Sequence, residues 1–488
     1  MYKLIVEKEL KGIFQSSKSV ALFAAGATLI LLSMLVGIRE YKHAVRAFET
    51  SESLTRQRMQ EGSNYGGLIG RAARKPEPMQ VFVNGIEFDI GRASIIDEHR
   101  PIKLTDSAYS EDPVYAVFRF LDFSFIVKVV LSLFAILMTY NAINGEKEDG
   151  TMKLVFSNAI PRTHYLLAKL TGSWLGMVVP FVILMLLSVV PVVLSGVPMT
   201  WQHWLSFAIL TFGALMLITF FVALGIFVSA ITTRSSTSFL VLLVTWVVMV
   251  LIVPRVSIMA AGHLVSVPTA AETEGLQQGH AKAQWQAHME KLQELWRERE
   301  ARMEGMTKTE RVAFREEHLW EWMEKDDEIR KTTEEEITEY QSQLAQDVIN
   351  RQSQQQKLAF AFTRFSPISA FQLAAMNLSG TDIDLKVRYE SAMRDYKRHF
   401  VDYKHKKAEE TGMTGNISIE INTDSGVRID AGRDKGTIDI SDMPQFEPPS
   451  KDFSRVITES IVDFGLLGLY SLLTFAGAFV SFLRYDLR

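Results

Sequence analysis

Residues 205–231 read LSFAILTFGALMLITFFVALGIFVSAI, a stretch of 27 residues without one charged side chain. A helix needs about 20 mostly apolar residues to cross the hydrocarbon core of a bilayer. This stretch is long enough to cross, and it has sequels on both sides. Downstream lies Phe239 to Pro254; upstream lie Leu170 to Leu194, with Pro180 and Pro191 inside it, and Phe123 to Ile143. Val20 to Ile38 and Ile461 to Leu483 complete a set of six. Six nearly uncharged runs of this length do not fit a soluble core. The expected fold class is an α-helical integral membrane protein with six transmembrane helices.

Averages conceal this pattern. A mean hydropathy of +0.08 and 22% charged residues describe apolar spans interleaved with strongly charged segments. A net charge of −4 and a pI of 6.3 give no basis for nucleic-acid binding. Cysteine is absent, which excludes disulfides, thiol catalysis, iron–sulfur clusters and cysteine-type zinc sites. Lys3, Lys8, Lys11 and Lys18 precede the first apolar run as in a secretion signal. That run is too long for a signal core and no small-x-small cleavage site follows, so an uncleaved span is expected. Lys128 lies in the first turns of the second span, where it either snorkels to the interface or serves a polar pathway.

The short loops set the orientation. Lys147, Lys153, Arg162 and Lys169 lie between spans two and three, Arg234 between four and five, and Arg484 and Arg488 after span six. All share a face with the N-terminal lysines, and the positive-inside rule makes that face cytoplasmic. The domain plan is then 1–19 as an amphipathic cytoplasmic entry helix, spans at 20–38, 123–143, 170–194, 205–231, 239–254 and 461–483, and a cytoplasmic loop at 144–169. Residues 39–122 and 255–459 form two extracytoplasmic domains.

Within the first, a helix is expected near Tyr41 to Gln60, then a strand at Gln80-Val-Phe-Val and a turn at Asn84-Gly85. The second is expected to be mainly helical. Trp285, Met289, Leu292 and Trp296, like Ile337, Tyr340, Leu344 and Val348, fall at helical spacing and read as core stripes of a hairpin around Trp320 and Trp322. A ligand-binding aromatic cluster is the alternative. Arg297 to Glu300 and Asp326 to Glu336, with His280 and His288, read as solvated. Phe365-Ser-Pro-Ile-Ser to Asp384 reads as a short apolar helix on the membrane surface. Ile417-Ser-Ile-Glu-Ile, Val427-Arg-Ile-Asp and Thr437-Ile-Asp-Ile alternate with period two and predict a small β region over 415–442.

The loop after span two is the most informative: Asn144-Gly-Glu-Lys-Glu-Asp-Gly-Thr, then Lys153-Leu-Val-Phe-Ser-Asn-Ala-Ile-Pro-Arg162 and Lys169. An acidic, glycine-bounded turn leads into an amphipathic piece that Pro161 stops. Such an element displays charge to the cytoplasm and could pass force into spans two and three. It also resembles the cytoplasmic signature of ABC-2-type transporter permeases. The resemblance implies that Glu146, Glu148, Asp149, Gly150, Thr151 and Arg162 couple the chain to a separate ABC ATPase subunit, which would carry the ATP and magnesium. It implies a second permease copy or a related permease as partner, a prokaryotic cytoplasmic membrane, and an amphipathic entry helix over Tyr2 to Ser19. Lys75-Pro-Glu-Pro, Phe365-Ser-Pro, Leu378-Ser-Gly-Thr and Phe482-Leu-Arg-Tyr-Asp-Leu-Arg resemble a longer subgroup similar to copper-enzyme maturation permeases.

No catalytic centre is legible. Gly145 to Thr151 lacks the lysine of a phosphate loop, and its acidic side chains would repel a triphosphate. No H-E-x-x-H or G-x-S-x-G occurs, and the histidines lack ligand spacing. No metal or bound cofactor is expected, and the chain is not expected to be an enzyme. The expected activity is coupling ATP hydrolysis on a partner to movement of an unidentified substrate. Two alternatives stand beside it: a mechanotransmitter that reshapes the external head without moving substrate, and a membrane scaffold without an ATPase. Reversing the charges of Glu146 and Glu148 is expected to abolish stimulated ATP hydrolysis without preventing membrane insertion, as an ATPase assay on reconstituted protein would read.

Overall fold

The computed structural model describes residues 2–62, 64–98, 100–107, 121–158, 160–411, 417–422, 426–431 and 438–484. It contains six helices long and apolar enough to cross a membrane, as the hydropathy pattern predicts. It falls into two units, Met1–Ile252 with Arg364–Arg488, and Val253–Thr363.

The first unit begins with α1 (Tyr2–Gln15), then α2 (Ser17–Gln60), which carries the first span. The helix expected near Tyr41 to Gln60 is the uninterrupted continuation of α2, since nothing between Ile38 and Tyr41 breaks it. Two short strands follow, β1 (Gly70–Ala73) and β2 (Ala93–Ile96), paired antiparallel with Gly70 opposite Ile96. The strand expected at Gln80-Val-Phe-Val is instead a 3-10 helix, Pro78–Val81. Pro78 fixes the first φ, and Met79, Gln80 and Val81 are all buried, so no face alternates outward.

The second span starts with a helical turn at Phe123–Phe125, passes through a π-helical segment Ile126–Leu131, and continues as α3 (Ser132–Thr139). Then come α4 (Asn144–Glu148), α5 (Thr151–Ser157), α6 (Arg162–Leu194), α7 (Trp201–Ile231) and α8 (Ser235–Val247), the last ending in a second π-helical segment, Val248–Ile252. The fifth apolar helix spans Ser235–Leu264 in all, ten residues beyond Pro254. Pro180 and Pro191 sit inside α6 without ending it. α7 is the centre of the bundle, packed against α3, α6 and α8. Its apolar window is 72% buried against 6% for the fifth span, so the outer surface of the fifth is left to lipid or another protein.

The second unit holds α9 (Val253–Leu264), α10 (Ala270–Arg302) and α11 (Lys308–Thr363). α10 and α11 form the expected hairpin, turning at Gly305 with φ +92°. Capping boxes fix both starts: Thr269 with Glu272, and Thr307 with Glu310. The aromatic stripe does not form the hairpin core. Trp285, Met289, Trp296 and Trp320 are exposed. In the second stripe Ile337 is buried and Tyr340 stacks on His280 across the hairpin (ring centroids 3.9 Å apart), and polar contacts add to these. Arg299 grips Asp326 with two bonds (2.6 and 3.0 Å) and lies over the Trp322 ring, while His288 is buried beside Thr333. Neither Arg299 nor His288 is therefore merely solvated.

Back in the first unit, α12 (Pro367–Leu378) follows, then α13 (Asp384–Thr411), the hairpin strands β3 (Ile417–Asn422) and β4 (Gly426–Ala431), and α14 (Phe453–Leu483). Thr437 and Arg488 lie outside the described residues; Ile438 to Ile440 form no strand. α12 does not lie on a surface. Ten of its twelve residues are buried against α7 and α14. Just before it, Arg364 pairs with Asp463 (2.6 Å), and Tyr470 donates to the Arg364 carbonyl (2.8 Å). Those partners lie about 15 and 25 Å along α14, so α12 starts deep in the bundle and is re-entrant. Lys128, half-buried, donates to Gln372 of this helix (2.6 Å).

The two insertions of this unit share a second core, in which Met59, Ile96, Leu385, Tyr389, Met393 and Phe400 are buried. The motifs Lys75-Pro-Glu-Pro and Leu378-Ser-Gly-Thr meet there. Tyr389 donates to the Lys75 carbonyl (3.2 Å), Ile86 N–H to the Thr381 carbonyl (3.1 Å), and Thr381 Oγ1 to the Val83 carbonyl (3.1 Å). Gly85 has φ +51°, and a Cβ there would stand 2.1 Å from the Thr381 oxygen, so only glycine fits. Between the motifs, burial, reinforced by the nearby Glu87 carboxylate, raises Glu77 from the usual carboxylate range to about 7, with Arg388, Arg74 and Lys75 opposing.

Folded protein therefore holds a proton on Glu77 that unfolded chain releases near pH 4.5, and the stability this contributes is lost as pH rises toward 7. Between pH 5 and 8 the thermal midpoint is expected to fall by the equivalent of about 1–2 kcal/mol. Glu77→Gln is expected to remove most of that slope and to be the more stable protein at pH 8, as unfolding scans across the range would show.

Candidate coupling site

The loop 144–169 folds as two short helices and the start of α6, and its side chains divide into an inner and an outer set. α4 is five residues long. Successive side chains on a helix are about 100° apart, so Glu146, Lys147 and Glu148 diverge toward three different neighbours.

Glu146 turns toward α1 and α6. Its carboxylate accepts from the Tyr165 hydroxyl (2.5 Å), Lys169 Nζ (2.8 Å) and Lys8 Nζ (2.9 Å). Lys169 also donates to Glu9 (2.7 Å) and is only 4% exposed, so it is a buried cation shared by two acids. Lys8 is well exposed and its bond to Glu146 contributes little. Lys147 donates to the Ala230 and Thr232 carbonyls (2.7 and 3.2 Å), a cation on the C-terminal end of α7. Glu148 accepts from the N–H and hydroxyl of Ser235 (3.0 and 2.6 Å), an anion on the first turn of α8. Asn144, fully buried, completes the set through Ser229, Thr232 and Ser235. Four residues of α4, Asn144, Glu146, Lys147 and Glu148, thus fasten α1, α6, α7 and α8.

α1 reaches this site because α6 lets it. Cβ atoms at Gly172 and Gly176 would each come within 2.6 Å of α1, at Glu9 and Ile13 respectively. The pair one helical turn apart opens a groove in which Glu9 meets Lys169.

Gly150 has φ +72° and makes the corner between α4 and α5. The inner face of α5 carries Phe156, which packs on Tyr165 and Phe482 (ring centroids 5.2 and 6.3 Å apart). Arg162 donates to the Leu483 carbonyl (2.9 Å), tying the end of α14 to the start of α6. The outer face is unoccupied surface: Asp149, Gly150, Thr151, Lys153 and Ser157 are exposed, and Leu154 is 69% exposed.

The full length of the sequence carries one family signature. Residues 4–487 match the ABC-2 family transporter protein family. The chain belongs to the ABC-2 family. As an ABC-2 protein it is a multi-pass membrane component of an ABC transporter. No curated protein matches the chain.

The six residues singled out in the sequence of this ABC-2 protein divide accordingly. Glu146, Glu148 and Arg162 are bonded within the chain; Asp149, Gly150 and Thr151 are exposed, with the Thr151 hydroxyl donating to the Glu146 carbonyl (3.4 Å). Sequence reasoning missed Asn144, Tyr165 and Glu9 as members, and Leu154 as the apolar residue of the outer face. Tyr165 and Glu9 carry no local signal, because their partners are 19 residues away or more. Leu154 was detectable as an apolar residue on the side of α5 away from Met152 and Phe156. Among the described residues no group of three or more His, Asp or Glu side chains is placed to hold a metal. The arrangement is mechanical: an internal clamp under an open surface.

Glu146→Gln leaves Lys169 short of a charged partner in a buried setting, with an expected loss of roughly 2–3 kcal/mol. Asp149→Ala, on the outer face, is expected to stay within about 0.5 kcal/mol of the parent. Thermal unfolding of the two purified variants reads both.

Proposed function

We propose that the chain is the permease subunit of an ABC transporter whose ATPase is a separate polypeptide, and that α4 and α5 receive that subunit. ATP and magnesium are then held by the partner, and this chain is not itself an enzyme. One observation carries the reading. α4 is bonded to α1, α6, α7 and α8 at once, so a push on the exposed face of α5 and the Asp149–Thr151 corner reaches four helices through short hydrogen bonds. In this reading six crossings leave both termini on the face that carries α4 and α5. The lysine and arginine bias of the loops favours the cytoplasm of a prokaryotic cell for that face, with both large insertions outside.

Two copies, or this chain and a related permease, pair with two ATPase subunits in this account. The fifth span, almost unburied within the chain, supports such a partner. Closure of the ATPases tilts the second and fifth spans, and their π-helical segments at Ile126–Leu131 and Val248–Ile252 are places where helices yield. Trp246 Nε1 donates to Ser132 Oγ (2.8 Å), coupling the two spans beside those segments. The resemblance of the insertions to copper-enzyme maturation permeases remains part of this proposal, and the cargo is open.

A second reading rests on α11, which at 56 residues is about 84 Å long. A rod of that length serves a mechanotransmitter, in which the ATPase stroke moves the hairpin against an external partner and no substrate crosses.

Leu154→Asp combined with Asp149→Lys alters the outer face and none of the internal bonds. Permease-stimulated ATP hydrolysis by the reconstituted complex is expected to fall at least tenfold, with the thermal midpoint unchanged. Full stimulation in that double variant removes the docking assignment.

A further inference from the structure

A cleft runs along the C-terminal half of α2 in the first unit, far in sequence from the coupling site and independent of it. It has two connected compartments. One, of about 180 Å³, lies between α2 and the β1–β2 pair and is polar, with Arg71, Arg92 and Asp106 in its wall. The other, of about 90 Å³, is mainly apolar, with Met59, Tyr396 and Phe446 in its wall and the Glu52–Arg56 ion pair (3.7 Å) among its lining residues. Phe48, Ser51, Arg71 and Ala73 line both, so the compartments are continuous.

The charges of the polar compartment do not cancel. Arg71 pairs with Asp106 (2.7 Å), and Arg74 pairs with Glu87 (2.5 Å) in a fully buried bridge. Arg92 is left over. As a residue it is half-buried, and its side chain has no ion pair or hydrogen bond among the described residues. Its backbone is fixed on both sides, by Arg92 N–H to the Thr105 carbonyl (2.7 Å) and Arg74 N–H to the Arg92 carbonyl (2.7 Å). A guanidinium beside a cleft without an acceptor from the described residues is available to pair with an anion. Two further hydroxyls, those of Ser51 and Tyr396, line the cleft without a hydrogen-bond partner among the described residues and are open to a ligand. Tyr396 stays a phenol, since burial pushes its hydroxyl up to about 12, so it is available as a donor.

We propose that this cleft binds a small amphipathic monocarboxylate of the fatty-acid kind. Its carboxylate pairs with Arg92 beside Arg71, and its tail passes Ser51 and Phe48 into the compartment of Met59, Tyr396 and Phe446. One surplus positive charge selects a single negative charge on the ligand. The apolar compartment selects a tail. The two ends separate this ligand from a simple anion and from a simple apolar molecule.

Radiolabelled decanoate is the probe, dialysed against full-length protein in phosphatidylcholine nanodiscs with empty discs subtracted. Saturable binding at one site per chain is expected, with decanol and acetate each at least tenfold weaker. Arg92→Ala is expected to weaken decanoate at least tenfold without changing decanol, Arg92→Lys to recover part of the loss, and Ser51→Phe, which fills the junction of the compartments, to abolish binding. Decanol equal to decanoate overturns the charge recognition, and acetate equal to decanoate overturns the tail pocket; either result on the unaltered protein rejects the proposal even where a variant fails to fold. Decanoate binding untouched by both Arg92→Ala and Ser51→Phe places the ligand elsewhere and rejects it too.

Discussion

The packing around α4 depends on one buried cation. Lys169 of α6 is almost completely enclosed and is balanced by Glu9 of α1 and Glu146 of α4. An ammonium in that position is stable only while its acids stay where they are. The two acids come from different helices, so keeping them in place fixes α1 and α4 relative to α6. Once α4 is fixed, Lys147 and Glu148 follow as caps on α7 and α8. The interaction is short-ranged and specific, which suits a site that must move as a body rather than deform.

That dependence explains why sequence reasoning located the loop and yet divided its residues differently. Hydropathy alone revealed six crossings, because bilayer thickness imposes a length on every span. Gly150 and Pro161 marked the corner and the stop of α5 through local backbone preference. Which acids point inward was not legible. Glu146, Glu148 and Asp149 look alike in sequence, and only the positions of Lys169 and Ser235, brought in by the helical bundle, distinguish them.

The same limit appears in the insertions. Helical spacing of Trp285, Met289 and Trp296 was real, but spacing reports a shared face and not what covers it. Leu385, Tyr389, Met393 and Phe400 have the same spacing and do form a core, because α2 and the β1–β2 pair supply the other side. The segment at Gln80-Val-Phe-Val shows the converse error: β-branched and aromatic residues favour a strand, but burial on all sides and Pro78 produced a 3-10 turn. Residues 367–378 were too short to read as a span and too apolar for a loop, which is the composition a re-entrant helix inside a bundle requires.

A chain without cysteine offers a direct test of the proposed coupling face. Single substitutions Leu154→Cys and Trp201→Cys place one thiol on α5 and one at the start of α7, at opposite ends of the spans. In membranes containing the assembled complex, a short thiol–amine cross-linker is expected to join the first to the ATPase subunit, with a yield that changes on adding nucleotide, and to leave the second unjoined. An ATPase cross-linked equally from both positions, or from neither while still copurifying, would contradict the account.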